Sequence, residues 1–155
     1  MKDPSLDTTN ARIEKALWKA AQAIKHTIAP QLQKHHGIEF KHFMVLDHIA
    51  KGLQYPRELS RCMSLLPSQM SRILEELSDL DCVGRSIDKG DSRRIQLTLT
   101  QKGLDILKAA QETTRSMINT ALQGFEDPEE FAQLLEVFTE ALEPASMGAS
   151  DKEPS

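Results

Sequence analysis

Two stretches of the sequence concentrate side chains suited to meeting a polyanion. In the first, Ser68, Gln69, Ser71 and Arg72 bring short hydrogen-bonding groups and one guanidinium together. Such a surface can lie against base edges and phosphates when the start of a helix enters a major groove. In the second, Asp88-Lys89-Gly90-Asp91-Ser92-Arg93 is followed by Arg94. Its Gly, Asp and Ser are turn formers, so Lys89, Arg93 and Arg94 would project from a tip. A carboxylate two residues before an arginine, as Asp91 is before Arg93, can hold that guanidinium in one orientation. That suits insertion into a narrow minor groove, where negative potential is enhanced. Taken singly, each stretch also fits an ordinary solvated helix face or turn.

The surrounding residues supply the elements that would position these groups. Met70, Ile73, Leu74, Leu77 and Leu80 recur at steps of three and four, which places them on the buried face of a helix and leaves Ser68, Gln69, Ser71 and Arg72 on the other. Pro67 starts that helix. Before it, Pro56 opens a shorter helix with Leu59 and Met63 inward, and Ser64-Leu65-Leu66 makes the turn. After it, Val83, Arg85 and Ile87, then Ile95, Leu97 and Leu99, alternate with smaller or polar residues, the period of two half-buried strands. Helix, turn, helix and a two-stranded ribbon with a charged tip is the order of a winged helix-turn-helix. The predicted class is mostly α (α+β), a winged helix-turn-helix with a two-stranded β-wing flanked by helices.

Asp91-Ser92-Arg93 followed by Leu97-Thr98-Leu99-Thr100-Gln101-Lys102-Gly103 resembles the D-x-R and L-T-x-x-G motifs of the MarR family of bacterial transcription regulators. Three positions depart from the pattern. Gly90 stands where many members carry a tip arginine, which leaves tip contacts to Lys89, Arg93 and Arg94. Asp81 replaces a helix-ending glycine, tolerable because Asp adopts the left-handed conformation. Cys82 replaces an aliphatic residue and is expected to pack as a small hydrophobe. The resemblance implies a homodimer that binds a palindromic operator in double-stranded DNA, a repressor whose affinity is lowered by a small aromatic or anionic effector. DNA contacts would fall to Ser68, Gln69, Ser71, Arg72, Lys89, Asp91, Arg93 and Arg94. The family's effector site maps to Trp18, His36 and Met44, with Phe40 and Phe43 read as core. Two other readings stay open: a helical protein-interaction module that keeps the fold without binding DNA, and a cysteine-based redox sensor.

The flanks fit a dimer. Residues 1–9 lack apolar periodicity and are expected to be unstructured. From an Asn10 cap, Ile13, Leu17, Ala20, Ile24, Ile28 and Leu32 run at helical spacing, with a kink or break predicted near Pro30 and an end at Gly37. Phe40 to Ile49 forms another helix, closed by Gly52. Thr100 caps a long helix containing Leu107, Ala110, Thr114, Met117 and Ala121. Asp127-Pro128-Glu129-Glu130 opens a last one carrying Phe131, Leu134, Leu135, Phe138 and Leu142, with Pro144 as its stop. The predicted organisation is residues 38–103 as the DNA-binding domain, 10–36 and 104–143 as the dimerisation region and 144–155 as a disordered tail.

A net charge of −4 looks unsuited to DNA until it is placed along the chain: residues 1–50 carry +2, residues 51–102 carry +2 and residues 103–155 carry −8. Local sign governs contact, so the acidic segment need only face away. No apolar run approaches the roughly 20 residues that span a membrane, and Met1-Lys2-Asp3-Pro4 has no apolar signal core, so a cytoplasmic protein is expected. Cys62 and Cys82 lack C-x-x-C spacing and read as reduced thiols, more readily buried than reactive. The histidines His26, His35, His36, His42 and His48 lack the three- or four-residue spacing of a helical metal site where it would matter, and no metal or cofactor is expected. No Gly-rich phosphate loop, G-x-S-x-G elbow or H-E-x-x-H occurs, so no enzyme is expected.

Overall fold

The structure, a computed structural model, describes the backbone over residues 4–147 and the side chains over residues 8–142. Helix α1 (Pro4–Ala23) runs into one π-helical turn, Ile24–Ile28, and continues as α2 (Ala29–His36). The disturbance predicted at Pro30 is thus realised just upstream. Proline offers no amide to the carbonyl four residues back and its ring crowds that carbonyl, so the preceding turn widens. Gly37 ends α2 at φ 67°, donating its amide to the Gln33 carbonyl at 3.1 Å. The helix starts at Pro4 and not at Asn10, so residues 4–9, expected to be unstructured, are helical. Proline suits the first helical position, where its missing amide would have had no partner. Residues 1–3 lie outside the described residues.

Helices α3 (Phe40–Ala50), α4 (Pro56–Cys62) and α5 (Pro67–Asp79) precede the antiparallel pair β1 (Val83–Ile87) and β2 (Ile95–Leu99). Leu32, Ile38, Val45, Leu46, Leu59, Met70, Leu77, Cys82 and Leu97 are fully buried together, so α2 to α5 and the base of the wing share one core. Each such leucine contributes about 1.5 to 3 kcal/mol through burial. Asp81 adopts φ 56° and closes α5, its amide reaching the Ser78 carbonyl at 2.9 Å while the Cys82 amide reaches that of Leu77 at 2.9 Å.

In the wing, Val83 pairs with Leu99, Arg85 with Leu97 and Ile87 with Ile95. The alternation predicts burial along the whole ribbon, and only its base follows. Val83 and Leu97 are buried, whereas Ile87 is 68% and Ile95 48% exposed. A two-stranded ribbon has no second layer of its own, and here only the base packs on the helical core. The Leu97 amide also donates to the Gln54 carbonyl at 2.7 Å, which ties the segment before α4 to the edge of β2.

Thr100 caps α6 (Gln101–Leu122), its Oγ1 accepting from the Gly103 amide at 2.9 Å. Gly103 passes so close to the Cys82 backbone that a β-carbon there would run into the Cys82 carbonyl oxygen and lie 2.9 Å from its carbonyl carbon. The glycine of the L-T-x-x-G motif is what lets α6 rest on the base of the wing.

The chain divides into two compact units, Met1–Met117 and Ile118–Ser155. In the second, Asp127 caps α7 (Pro128–Met147), its Oδ1 accepting from the amides of Glu129 and Glu130 at 3.0 Å each. The expected stop at Pro144 is not observed, since α7 passes through it to Met147. An α-helix can forgo one backbone bond at a proline, at a cost of about 3 kcal/mol, where its other bonds hold. Residues 148–155, the end of the expected tail, lie outside the described residues. No helix among the described residues is long and apolar enough to cross a membrane.

Candidate nucleic-acid interface

Helix α5 presents its first turns outward. Met70, Ile73, Leu74 and Leu77 are buried beneath them, and Ser68, Gln69, Ser71 and Arg72 are all exposed. Gln69 does double duty: its Oε1 accepts from the Leu66 amide at 2.9 Å, capping the helix start, so only its NH2 group is left to face a partner. Arg72 is not loose either. Its Nε donates to Glu76 Oε1 at 3.2 Å, one turn on.

Glu76 is a hub. Its Oε2 also meets Lys41 Nζ at 2.9 Å and His42 Nε2 at 2.8 Å, fastening α5 to α3. Hydrogen bonds from Lys41 and His42 pull its carboxyl down to about 2. Glu39, His42 and Glu76 could in outline bracket a metal ion. The hydrogen bonds argue otherwise. The Glu39 amide donates to His42 Nδ1 at 3.1 Å, which fixes the ring proton on Nε2, where it is given to Glu76. Lys41, 3.4 Å from Glu39 and 2.9 Å from Glu76, already supplies the cation.

The wing tip is built by two carboxylates. Asp88 Oδ1 accepts from the amides of Gly90 at 2.6 Å and Asp91 at 3.1 Å, and Asp91 Oδ1 accepts from the Arg93 amide at 3.0 Å. This revises the role predicted for Asp91, because its contact is with the backbone of Arg93 and not with the guanidinium. A carboxylate two residues ahead of an amide forms an Asx-turn, a shorter reach than the long arginine side chain requires. Lys89 and Arg93 are exposed at the tip.

Arg94 differs from its neighbour. Its guanidinium lies 3.7 Å from the centre of the Tyr55 ring and 3.3 Å from Glu58 Oε1. The Tyr55 hydroxyl in turn donates to Asp88 Oδ2. That bond holds the Asp88 carboxyl below its ordinary value and raises the tyrosine's. Tyr55 and Glu58 carry no motif, and Arg94 lies far from both in sequence, so no spacing rule points to them. Between α4 and the wing lies an open cleft of about 730 Å³ lined by Arg57, Arg61, Arg93 and Arg94. Arg57, Arg61, Arg85, Lys89 and Arg93 make no ion pair among the described residues.

Of the residues mapped to an effector site, His36 alone lines the groove of about 780 Å³ between α2 and α6, with Gln31, His35, Glu112 and Met117. Its Nε2 lies 2.8 Å from Thr113 Oγ1, whose own proton goes to the Ala109 carbonyl at 3.2 Å, so the imidazole is the donor. Burial and the neighbouring His35 lower its pKa, favouring the neutral ring. Trp18 is 62% exposed on α1, and Met44 sits half-buried on α3; neither lines that groove. Phe40 and Phe43 pack half-buried against the core, as expected. Cys82 is fully buried, and burial raises its pKa, but Cys62 is exposed, so the expectation that both thiols are buried holds for Cys82 alone.

No protein-family model matches the sequence, and no curated protein matches it. Solved structures do resemble it. The transcriptional regulator BldR from Sulfolobus solfataricus superposes with a TM-score of 0.78 at 20% identity, over 91% of this chain and 99% of that one. MepR of S. aureus, solved as a complex with DNA, gives 0.68 at 19% identity, over 85% and 97%. A mutant MarR from E. coli gives 0.59 at 21% identity, over 81% and 96%. The chain has the winged-helix fold of these proteins along nearly its whole length.

Proposed function

We propose that this chain is a MarR-type transcription regulator that binds double-stranded DNA as a homodimer and acts by binding, not catalysis. One observation carries the reading. The exposed polar turn of α5 and an arginine-bearing wing project from one shared core, in a fold like that of MepR, which was solved in a complex with DNA. Ser68, Gln69, Ser71 and Arg72 address the major groove, and Lys89 and Arg93 the minor groove or its phosphates. Arg94 and Asp91 shape the wing that presents them. The work is done where the DNA is, in the cytoplasm.

The dimer rests on exposed apolar helices. Ile13, Leu17 and Trp18 on α1 and Phe131, Leu134, Leu135 and Val137 on α7 stand between 38% and 64% exposed, more apolar surface than a monomer keeps in water. A second copy covers such faces most economically and supplies a two-fold axis for a palindromic operator, with residues 10–36 and 104–143 as the dimerisation region. The His36 groove supports a ligand-responsive repressor, since a small anionic or aromatic compound bound there could favour a dimer geometry that fits DNA poorly.

An electrophoretic shift with the chain's own upstream DNA tests the main reading, and sedimentation tests the dimer. A retarded complex and a mass about twice 17.4 kDa are expected. A monomer that leaves that DNA unshifted would favour the interaction-module reading.

A further inference from the structure

Arg94 sits in a wing that invites the same role as Arg93, but its surroundings differ. A guanidinium stacked 3.7 Å above an aromatic ring and 3.3 Å from a carboxylate has its charge and its plane already engaged. The ring is fixed at its far end, because the Tyr55 hydroxyl donates to Asp88. Asp88 is the residue that caps the tip amides of Gly90 and Asp91, and its own amide donates to the Arg94 carbonyl at 2.9 Å. The side chains close a loop: Arg94 on Tyr55, Tyr55 on Asp88, Asp88 on the tip that leads back to Arg94. Glu58 attaches this loop to the first turn of α4. Further down the ribbon, Gln54 binds β2 twice, through its carbonyl to the Leu97 amide at 2.7 Å and through its side chain to Gln96 at 2.8 Å.

We infer that Arg94 is a positioning residue, a brace that locks the wing onto the Gln54–Glu58 segment so that Arg93 and Lys89 are presented in a fixed direction. Two-stranded ribbons are marginal by themselves, and the distal pair Ile87 and Ile95 is exposed, so apolar burial does little to hold this end of the wing. The brace supplies what the missing layer would have supplied. It deepens the DNA-binding reading by dividing the tip cations into those that contact the nucleic acid and one that aims them.

Arg94→Lys separates the two roles, because lysine keeps the charge and loses the flat fork that stacks on Tyr55 and meets Glu58. Hydrogen exchange of the full chain without DNA reports the brace directly, through the amides of Asp88, Arg93 and Arg94, all of which are bonded within the tip. In Arg94→Lys these amides should exchange roughly three- to tenfold faster, as loss of a cation–π contact and its ion pair implies. Tyr55→Leu should match it, and the double variant should add little. Affinity for the shifted DNA fragment should fall by a similar factor in each. Exchange in Arg94→Lys equal to wild type overturns the inference whatever the affinity does. Faster exchange with unchanged affinity also overturns it, since the wing would then be braced without consequence for binding. Should the wild-type chain bind no DNA, the DNA-binding reading falls by that result alone, and the exchange arm still decides whether the brace exists.

Discussion

Replacing Gly103 by alanine sets two effects against each other, and the structure says which wins. In an exposed helix interior the change would be favourable by roughly 1 kcal/mol, because alanine loses less backbone entropy. At Gly103 the new β-carbon would meet the Cys82 backbone, 2.9 Å from its carbonyl carbon where ordinary contacts begin at 3.4 Å. The strand end and the helix start must therefore separate by at least about 0.5 Å, the difference of those two distances, and by more to clear the oxygen. That oxygen accepts from the Thr100 amide at 3.0 Å, and Thr100 Oγ1 both donates to the Asp81 carbonyl at 2.6 Å and caps α6. Overpacking costs about 1 to 3 kcal/mol and weakening the Thr100 bonds about 1 more, so after the propensity gain a net loss of roughly 1 to 3 kcal/mol is expected. Urea denaturation with an unchanged slope measures it. Gly124→Ala is the control: nothing lies within 4 Å of a β-carbon there, and it should be neutral or stabilising. A Gly103→Ala protein as stable as wild type would refute the close contact and its role in the motif.

Asp91→Asn keeps an oxygen for the Arg93 amide and removes a negative charge near DNA, so it should bind DNA as tightly as wild type or tighter, whereas Asp91→Ala should loosen the turn and weaken binding in the same shift assay. The Glu76 carboxyl, drawn from 4.5 to about 2, contributes stability that is complete above about 4.5 and is lost as pH falls towards 2. Glu76→Gln should therefore be less stable than wild type near neutrality and show a flatter acid decline by thermal denaturation between those values; parallel curves would contradict the hub. Leu135, 43% exposed, should tolerate Asp with little loss of secondary structure by circular dichroism, yet sedimentation should shift towards the 17.4 kDa monomer.

The parts of the fold that follow from local rules were legible in the sequence. Apolar spacing placed Met70, Ile73, Leu74 and Leu77 inward, prolines marked the starts of α4 and α5, and Asp81, Thr100 and Asp127 sit in the turns and caps their chemistry favours. Pro30 showed where α1 would be disturbed, but not that the chain would answer with a π-turn. What was not legible depends on partners distant in sequence or on a choice between near-equal partners. Asp91 can serve an amide or a guanidinium, and the amide is nearer. Arg94 looks like Arg93 until Tyr55, brought up by the packing of α4, lies under it. Trp18, His36 and Met44 lie on three separate helices, and of the three only His36 lines the groove between α2 and α6.

These pairings also bear on how a chain of net charge −4 would meet DNA under the proposed reading. A cation already neutralised by a carboxylate must break that pair before it releases a counterion from DNA, so it adds little to binding. Lys41, Lys51, Arg72 and Arg94 are paired in this way, with Glu76, Asp47, Glu76 and Glu58. Three of the acids in the first 102 residues, Asp47, Glu58 and Glu76, are held in these bonds. Arg57 and Arg61 on α4 and Lys89 and Arg93 on the wing are left facing solvent around one cleft and one tip. Under the proposed reading, these four are cations of α4 and the wing that are free to meet phosphates. Arg72, held by Glu76 through Nε alone, keeps its two terminal NH2 groups to meet a base with two adjacent acceptors, as guanine's O6 and N7 are.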